Sequence, residues 1–445
     1  MRLLLALLLL MPPAVQADDL VTRLKAIPGM TVVAQHGPPD GYQKFLALTY
    51  RQPVDHRQPG GTTFEQRFTL LHKADTQPMV LHTSGYDVYF DRPYRSEITF
   101  LLQANQIAVE QRFFPPSRPE PADWGKLDIW QAANDHHRLV TALKPLFKQR
   151  WLATGESKGG MTSVYHRRFF PDDVDATVAY VAPNDVIDEQ DAYEDFLAKV
   201  GTDPACRTRL VELQKEALKR RAELLRLYQD WARQNQRTFT QSAGSAEHAF
   251  EMLVVEMPFV FWQYGQQFHC RSLPATTAPT AELYRWLDRT ANFDAYTDQG
   301  IGRSLPYYYQ AGTQFGYPTF PERGLDLKFA GQFRARDFVP RSIPMTYQPG
   351  VMADVDTWVR TTGTRMMFVY GENDPWSAEA FHPSALDSFR YTVPGGNHNV
   401  DIRDLPAQQR AAAESNIRRW TGATRTSDLA DWQPAGVRGH RGVTR

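Results

Sequence analysis

Cysteine is almost absent from this 445-residue chain, which holds only Cys206 and Cys270. That scarcity excludes a multi-disulfide scaffold, and without an accompanying histidine cluster it excludes a structural zinc site of the four-ligand kind. An excess of either charge is missing too, since Lys plus Arg and Asp plus Glu each total 50. No net field draws such a chain to nucleic acid or to anionic membranes, so neither is expected as a partner. Beyond the N-terminus no apolar run approaches the roughly 20 residues that span a bilayer, and no internal repeat is evident.

What is present is ordinary globular material: 42% apolar residues, enough for a sizeable core in a chain whose length permits two or three domains. The first residues stand apart. Met1-Arg2 leads into an apolar stretch, residues 3–11, and then into Val15-Gln16-Ala17. This reads as a signal peptide over 1–17 with cleavage before Asp18, which implies a secreted or periplasmic protein with no stable membrane anchor after processing. In such a compartment a lone cysteine pair oxidises and persists, so a Cys206–Cys270 disulfide is expected, stabilising by roughly 4 kcal/mol through chain entropy.

The remainder has an α/β cadence that is interrupted and then resumes. Short β-rich runs with turns occupy 42–71, buried strands are expected at 79–82 and 106–110, and a helical period covers 127–143. Trp151-Leu152-Ala153-Thr154 reads as a strand, 161–170 as a helix and 176–181 as a further strand. From about 184 to 345 the pattern is mainly helical, with Leu210, Leu213, Ala217, Leu224 and Tyr228 along one face and an aromatic-rich helix around 257–264. Strands return at 366–370 and 389–393, and a last helix covers 405–420. The expected organisation is an α/β core over 18–183 and 346–423, a helical cap over 184–345 inserted between the two parts of its sheet, and a flexible tail over 424–445.

Gly155-Glu156-Ser157-Lys158-Gly159, followed by Gly160, has the G-x-S-x-G form of a nucleophile elbow and lies between a strand and a helix. A serine hydroxyl needs a base, and the base needs an acid to orient it; in the α/β-hydrolase fold they follow in the order Ser, acid, His. Asp374, in Gly371-Glu372-Asn373-Asp374-Pro375-Trp376, and His398, in Pro394-Gly395-Gly396-Asn397-His398, both lie where loops leave strand ends. Asp374 is preferred to Glu372 because it sits further into the loop. The oxyanion donors expected are the amide of Lys158 and one from Gly85 or Tyr86. The Lys158 side chain is assigned no proton-transfer role.

Through this elbow and the acid and histidine loops, the chain resembles the secreted bacterial prolyl tri- and tetrapeptidyl aminopeptidases, distant relatives of lysosomal Pro-X carboxypeptidase and dipeptidyl peptidase II. The resemblance runs nearly full length, through Pro53-Val54-Asp55-His56, Glu110-Gln111-Arg112-Phe113-Phe114, Ser117-Arg118-Pro119, Asp123-Trp124, Gln131-Ala132-Ala133-Asn134-Asp135 and the elbow. It continues in Tyr180-Val181-Ala182-Pro183, in the Tyr309-to-Gly316 segment and in Asp374-Pro375-Trp376. Gln111 departs from the family's histidine, and Gln314 from the acidic residue of the lysosomal pattern. The resemblance implies release of short peptides from free N-termini, often after proline, through an acyl-enzyme and without metal or organic cofactor.

An aminopeptidase must hold an α-ammonium with a carboxylate, and a proline pocket is served by aromatic walls. Glu110 and the acidic run Asp185, Asp188, Glu189, Asp191 and Glu194 are candidates for the first. Phe259, Phe261, Trp262, Tyr264, Tyr308 and Trp376 are candidates for the second, with Gln310 as a further substrate contact. An esterase or lipase of the same fold, and a silent binding protein on the hydrolase scaffold, stay open on the residues alone. Nothing in the residues sets an oligomeric state.

Overall fold

Partly buried and exposed side chains alternate along the first strand of this computed structural model, which describes residues 19–424 and 426–433. After the short helix α1 (Leu20–Lys25), β1 (Met30–His36), β2 (Lys44–Pro53) and β3 (Thr63–His72) form an antiparallel meander. β1 is a half-exposed edge, which is why its pattern was too weak to read as a strand. The interior strands are mainly apolar and buried on both faces: β4 (Met79–Thr83), β5 (Asn105–Val109), β6 (Trp151–Glu156), β7 (Ala176–Tyr180) and β8 (Met366–Gly371). With β9 (Phe389–Val393) at the far edge they pair in parallel.

The spatial order is β1-β2-β3-β5-β4-β6-β7-β8-β9. The inversion of β4 and β5, beside an antiparallel β3, gives the α/β-hydrolase topology with one added edge strand. Crossovers run through α2 (Glu97–Leu102), α3 (Ile129–Leu143) and α4 (Lys158–Phe169).

Between β7 and β8, neighbours in the sheet, the chain leaves to build a helical cap. It comprises α5 (Tyr193–Leu197), α6 (Pro204–Lys219), α7 (Arg221–Gln234), α8 (Ala246–Tyr264), α9 (Thr280–Ala291) and α10 (Asp298–Gln310), with a π turn at Ala311–Phe315. α11 (Gly350–Thr361) then leads back into β8, and α12 (Ala407–Thr421) closes the core. Leu210, Leu213, Ala217, Leu224 and Tyr228 are all buried, but they belong to two helices that break at Arg220, where neither Gly nor Pro signals the turn.

α8 carries a proline inside it, Pro258, which deprives the Val254 carbonyl of its helical partner. The buried Gln214 side chain on α6 supplies the missing donor: its Nε2 donates to Val254 O at 2.9 Å and to Val255 O at 3.1 Å. The Cys206–Cys270 disulfide, with Cα atoms 5.4 Å apart, ties the start of α6 to the turn after α8. Two side-chain devices therefore hold α8 against α6.

The flexible tail expected from residue 424 is corrected over 426–433. Leu429 and Trp432 are buried, Trp432 Nε1 donates to Asp401 Oδ2 at 3.2 Å and the Ser427 amide to Leu101 O at 2.9 Å, because two large apolar side chains give the segment something to bury. The signal peptide expected over 1–17 lies outside the described residues, as does 434–445. Among the described residues no helix is long and apolar enough to cross a membrane.

Candidate active site

β6 is buried up to Gly155, and the chain then reverses at Ser157 with φ 55° and ψ −127° before α4 begins at Lys158. A left-handed serine costs on the order of 1–3 kcal/mol, and its surroundings hold it there. Its amide donates to Tyr180 O at 2.9 Å, and its carbonyl accepts the first helical bond from Met161 at 3.0 Å. The flanking glycines are steric necessities. A Cβ on Gly155 would lie 2.5 Å from the Gly159 carbonyl carbon, one on Gly159 2.3 Å from Thr83 O, and one on Gly160 2.9 Å from Ala182 Cβ.

Asp374 and His398 leave the ends of β8 and β9. His398 Nδ1 lies 2.8 Å from Asp374 Oδ2, and both side chains are buried. Ser377 Oγ donates to the same carboxylate oxygen at 3.0 Å and the Trp376 amide to the other at 3.2 Å. Glu372, by contrast, is exposed and accepts the Gly395 amide at 2.7 Å. His398 Nε2 has no hydrogen-bond partner among the described residues. The ring stands 6.1 Å from Tyr264 and 6.4 Å from Trp376, while the His398 amide donates to Gln263 O at 2.9 Å.

Gln263, Tyr264 and Trp376 line the same cleft as Ser157, a narrow space of about 150 Å³ between the sheet and the cap. Tyr86 and Lys158 complete its floor, Glu256 and Val260 extend the α8 wall, and Tyr296, Tyr307, Tyr308 and Tyr317 enclose it from the cap. Burial raises the Tyr86 phenol well above its ordinary pKa, so the hydroxyl keeps its proton, and it is in hydrogen-bond contact with Ser157. The Tyr86 amide donates to Ser84 Oγ at 3.1 Å. The phenol, rather than that amide, is the Tyr86 group that meets the serine.

Gly85 has φ +75°, and a Cβ there would come within 2.5 Å of the Gly159 amide nitrogen, so this loop packs directly on the elbow. Lys158 Nζ pins it by donating to Gly85 O at 2.6 Å, with the Tyr86 and Phe114 rings 5.5 and 5.4 Å away. The side chain is 2% exposed, and burial pushes its pKa down to about 7.

The other sequence candidates divide sharply. Tyr308 and Trp376 line the cleft, whereas Glu110, Trp262 and Gln310 do not. Glu110 is buried against Ser117 Oγ at 2.7 Å and the Val88 amide at 3.2 Å, where burial raises it to about 7. Trp262 lies two positions from Val260, on the far side of α8, packed over Gly201. Gln310 is 1% exposed within α10, and Phe259 stands behind Trp376 at 5.0 Å. Asp188 and Asp191 accept the Tyr317 and Thr319 amides at the root of the cap, and Glu194 is exposed. Gln314 Oε1 accepts the Ile129 amide at 2.8 Å, and the Gln111 amide donates to Tyr86 O, also at 2.8 Å. Sequence reasoning missed Glu256. Its signal was a single ionisable residue inside the apolar run Met252 to Trp262.

Comparison with known proteins decides the family. The model for PS-10 peptidase S37 matches residues 12–438. This chain belongs to that peptidase family. The S37 peptidase is 53% identical over 411 residues to the prolyl tri/tetrapeptidyl aminopeptidase of Streptomyces mobaraensis, covering 91% of this chain and 85% of that protein. Solved structures similar to it include the proline iminopeptidase of Mycobacterium smegmatis, at 13% identity and a TM-score of 0.43, covering 85% of this chain and 100% of that one. A peroxisomal α/β-hydrolase of Saccharomyces cerevisiae is similar at 12% identity and a TM-score of 0.39, covering 89% of this chain and 94% of that one. The S37 peptidase is a serine peptidase of the α/β-hydrolase fold, and peptides are its substrates.

Proposed function

We propose that this chain is an exported exopeptidase that releases tri- and tetrapeptides from free N-termini by cleavage after proline. The observation that carries the reading is the setting of Ser157: a strained turn opening into a narrow cleft roofed by the cap, two of whose lining rings, Tyr264 and Trp376, stand against the His398 of the Asp374–His398 pair. A roofed cleft favours a chain end over a folded segment. The activity for which the 53% identical relative is named points the same way.

In this reading Ser157 Oγ attacks the scissile carbonyl carbon while His398 Nε2 takes its proton, and Asp374 stays ionised and orients the imidazole through Nδ1. Two donors meet the developing oxyanion, the Lys158 amide and the Tyr86 phenol. Collapse breaks the peptide C–N bond, His398 returns the proton to the departing amine, and water then releases the acyl peptide by the reverse sequence. Tyr264 and Trp376, which flank His398, supply flat apolar walls suited to a prolyl ring. Export rests on the 1–17 segment and suits the disulfide.

Mass-spectrometric product mapping tests this on paired peptides, free and N-acetylated, with proline second, third or fourth. Release only from the free peptides, cut after the third or fourth residue, is expected. Equal cleavage of capped peptides would replace the reading with an endopeptidase. N-terminal sequencing of the exported protein, expected to begin at Asp18, tests the processing site.

A further inference from the structure

An exopeptidase that counts residues needs an anchor at a set distance from its nucleophile. We propose that Glu256 binds the α-ammonium of the substrate and thereby sets how many residues are released, an assignment that rests on the exopeptidase reading above. Among the described residues, Glu256 is the one carboxylate lining the cleft that holds Ser157. The two cations of that lining are already engaged: Lys158 Nζ donates to Gly85 O, and Arg303 pairs with Asp294. Glu256 accepts a hydrogen bond from the Tyr296 hydroxyl, which leaves its carboxylate with further acceptor sites. The aromatic walls around it add rings for a cation to lie against.

Spacing along α8 supports the ruler. Glu256 precedes Gln263 and Tyr264, the two α8 residues that meet His398, by seven and eight positions, about 10 to 12 Å at helical rise. Side chains of one helix tilt alike, so the Cα spacing carries over to the groups themselves. An extended chain covers about 3.3 Å per residue, so three residues reach roughly 10 Å, four roughly 13 Å and two only about 7 Å. Tri- and tetrapeptides span the gap. Dipeptides fall short. Burial holds the carboxyl at about 7, so a bound ammonium acts on a group that ionises readily when paired.

The test uses the mature enzyme with free and N-acetylated peptides bearing proline third or fourth, on wild type, Glu256→Gln and Glu256→Asp. Glutamine keeps the volume and an acceptor for Tyr296. It is expected to lower kcat/KM on free peptides by about 30-fold or more, chiefly through KM, and to abolish the preference for a free terminus. Aspartate withdraws the carboxylate by one bond, about 1.5 Å, and is expected to shift release from tri- toward tetrapeptides. Survival of the free-terminus preference in Glu256→Gln, or an unchanged product length in Glu256→Asp, overturns the assignment alone. Equal turnover of free and capped peptides by the wild-type enzyme overturns the exopeptidase reading and the assignment with it.

Discussion

Asp374 and His398 lie 24 residues apart in the chain and meet at 2.8 Å, each carried by a loop leaving an adjacent strand of the sheet. The Asp374 carboxylate is 0% exposed and also holds Ser377 and the Trp376 amide, so it fixes the imidazole rather than following it. Asp374→Asn should keep the fold and lower kcat by about 10⁴, and Ser157→Ala should lower it by about 10⁶. Steady-state turnover of a prolyl peptide measures both; near-normal activity in either variant would remove that residue from the reaction.

Tyr86 meets Ser157 through its phenol, and burial keeps that hydroxyl protonated and able to donate. Tyr86→Phe removes the donor and leaves the ring that packs at 5.4 Å on Phe114. A fall in kcat of about 10² to 10³ with little change in KM is expected. A KM effect alone would make Tyr86 a wall of the cleft and nothing more.

Asp185 sits at the root of the cap, 4% exposed, and burial together with Glu379, Asp188, Asp191 and Glu189 pushes its carboxyl up to about 8. A raised acid binds a proton in the folded state where the unfolded chain has released it. Its contribution is therefore fully present below about pH 4 and is lost as pH rises through about 8, at up to about 1.4 kcal/mol per pH unit. Asp185→Asn should stabilise the protein relative to wild type at pH 8 more than at pH 5. Urea unfolding at both values reads the difference, and an equal effect at both would contradict the assignment.

Gln214 repairs the hydrogen-bond ladder that Pro258 breaks in α8. Gln214→Leu strands the Val254 carbonyl and should cost about 1–3 kcal/mol. Pro258→Ala restores an amide to Val254, so the cost of Gln214→Leu should shrink in that background. A double-mutant cycle by urea unfolding measures the coupling, and strict additivity would show that the two residues act apart.

Much of the fold was legible because its signals are local. Mainly apolar runs mark β4 through β8, and the elbow glycines announce a turn that admits no side chain at those positions. The family motifs were legible as motifs, but their purpose was not. His56, Arg112 and Asp135, from three separate segments, form one buried network in which Asp135 receives Arg112 Nε at 2.6 Å and Nη2 at 2.8 Å and lies 2.7 Å from His56 Nε2. The break at Arg220 escaped because neither Gly nor Pro marks it, and the edge strand β1 because most of its residues are only partly buried.

The sequence by itself determined the candidate site: a serine on a glycine-flanked turn, then an acid and a histidine after successive strands, since each demand is met within a few residues. Tertiary structure decided recognition. Whether Glu110 or Glu256 faces the cleft, and whether Tyr86 offers its amide or its phenol, depends on how the cap packs over the sheet across more than a hundred residues of chain. Side-chain direction on a buried helix is set by the partner surface, and that surface exists only once the chain has folded.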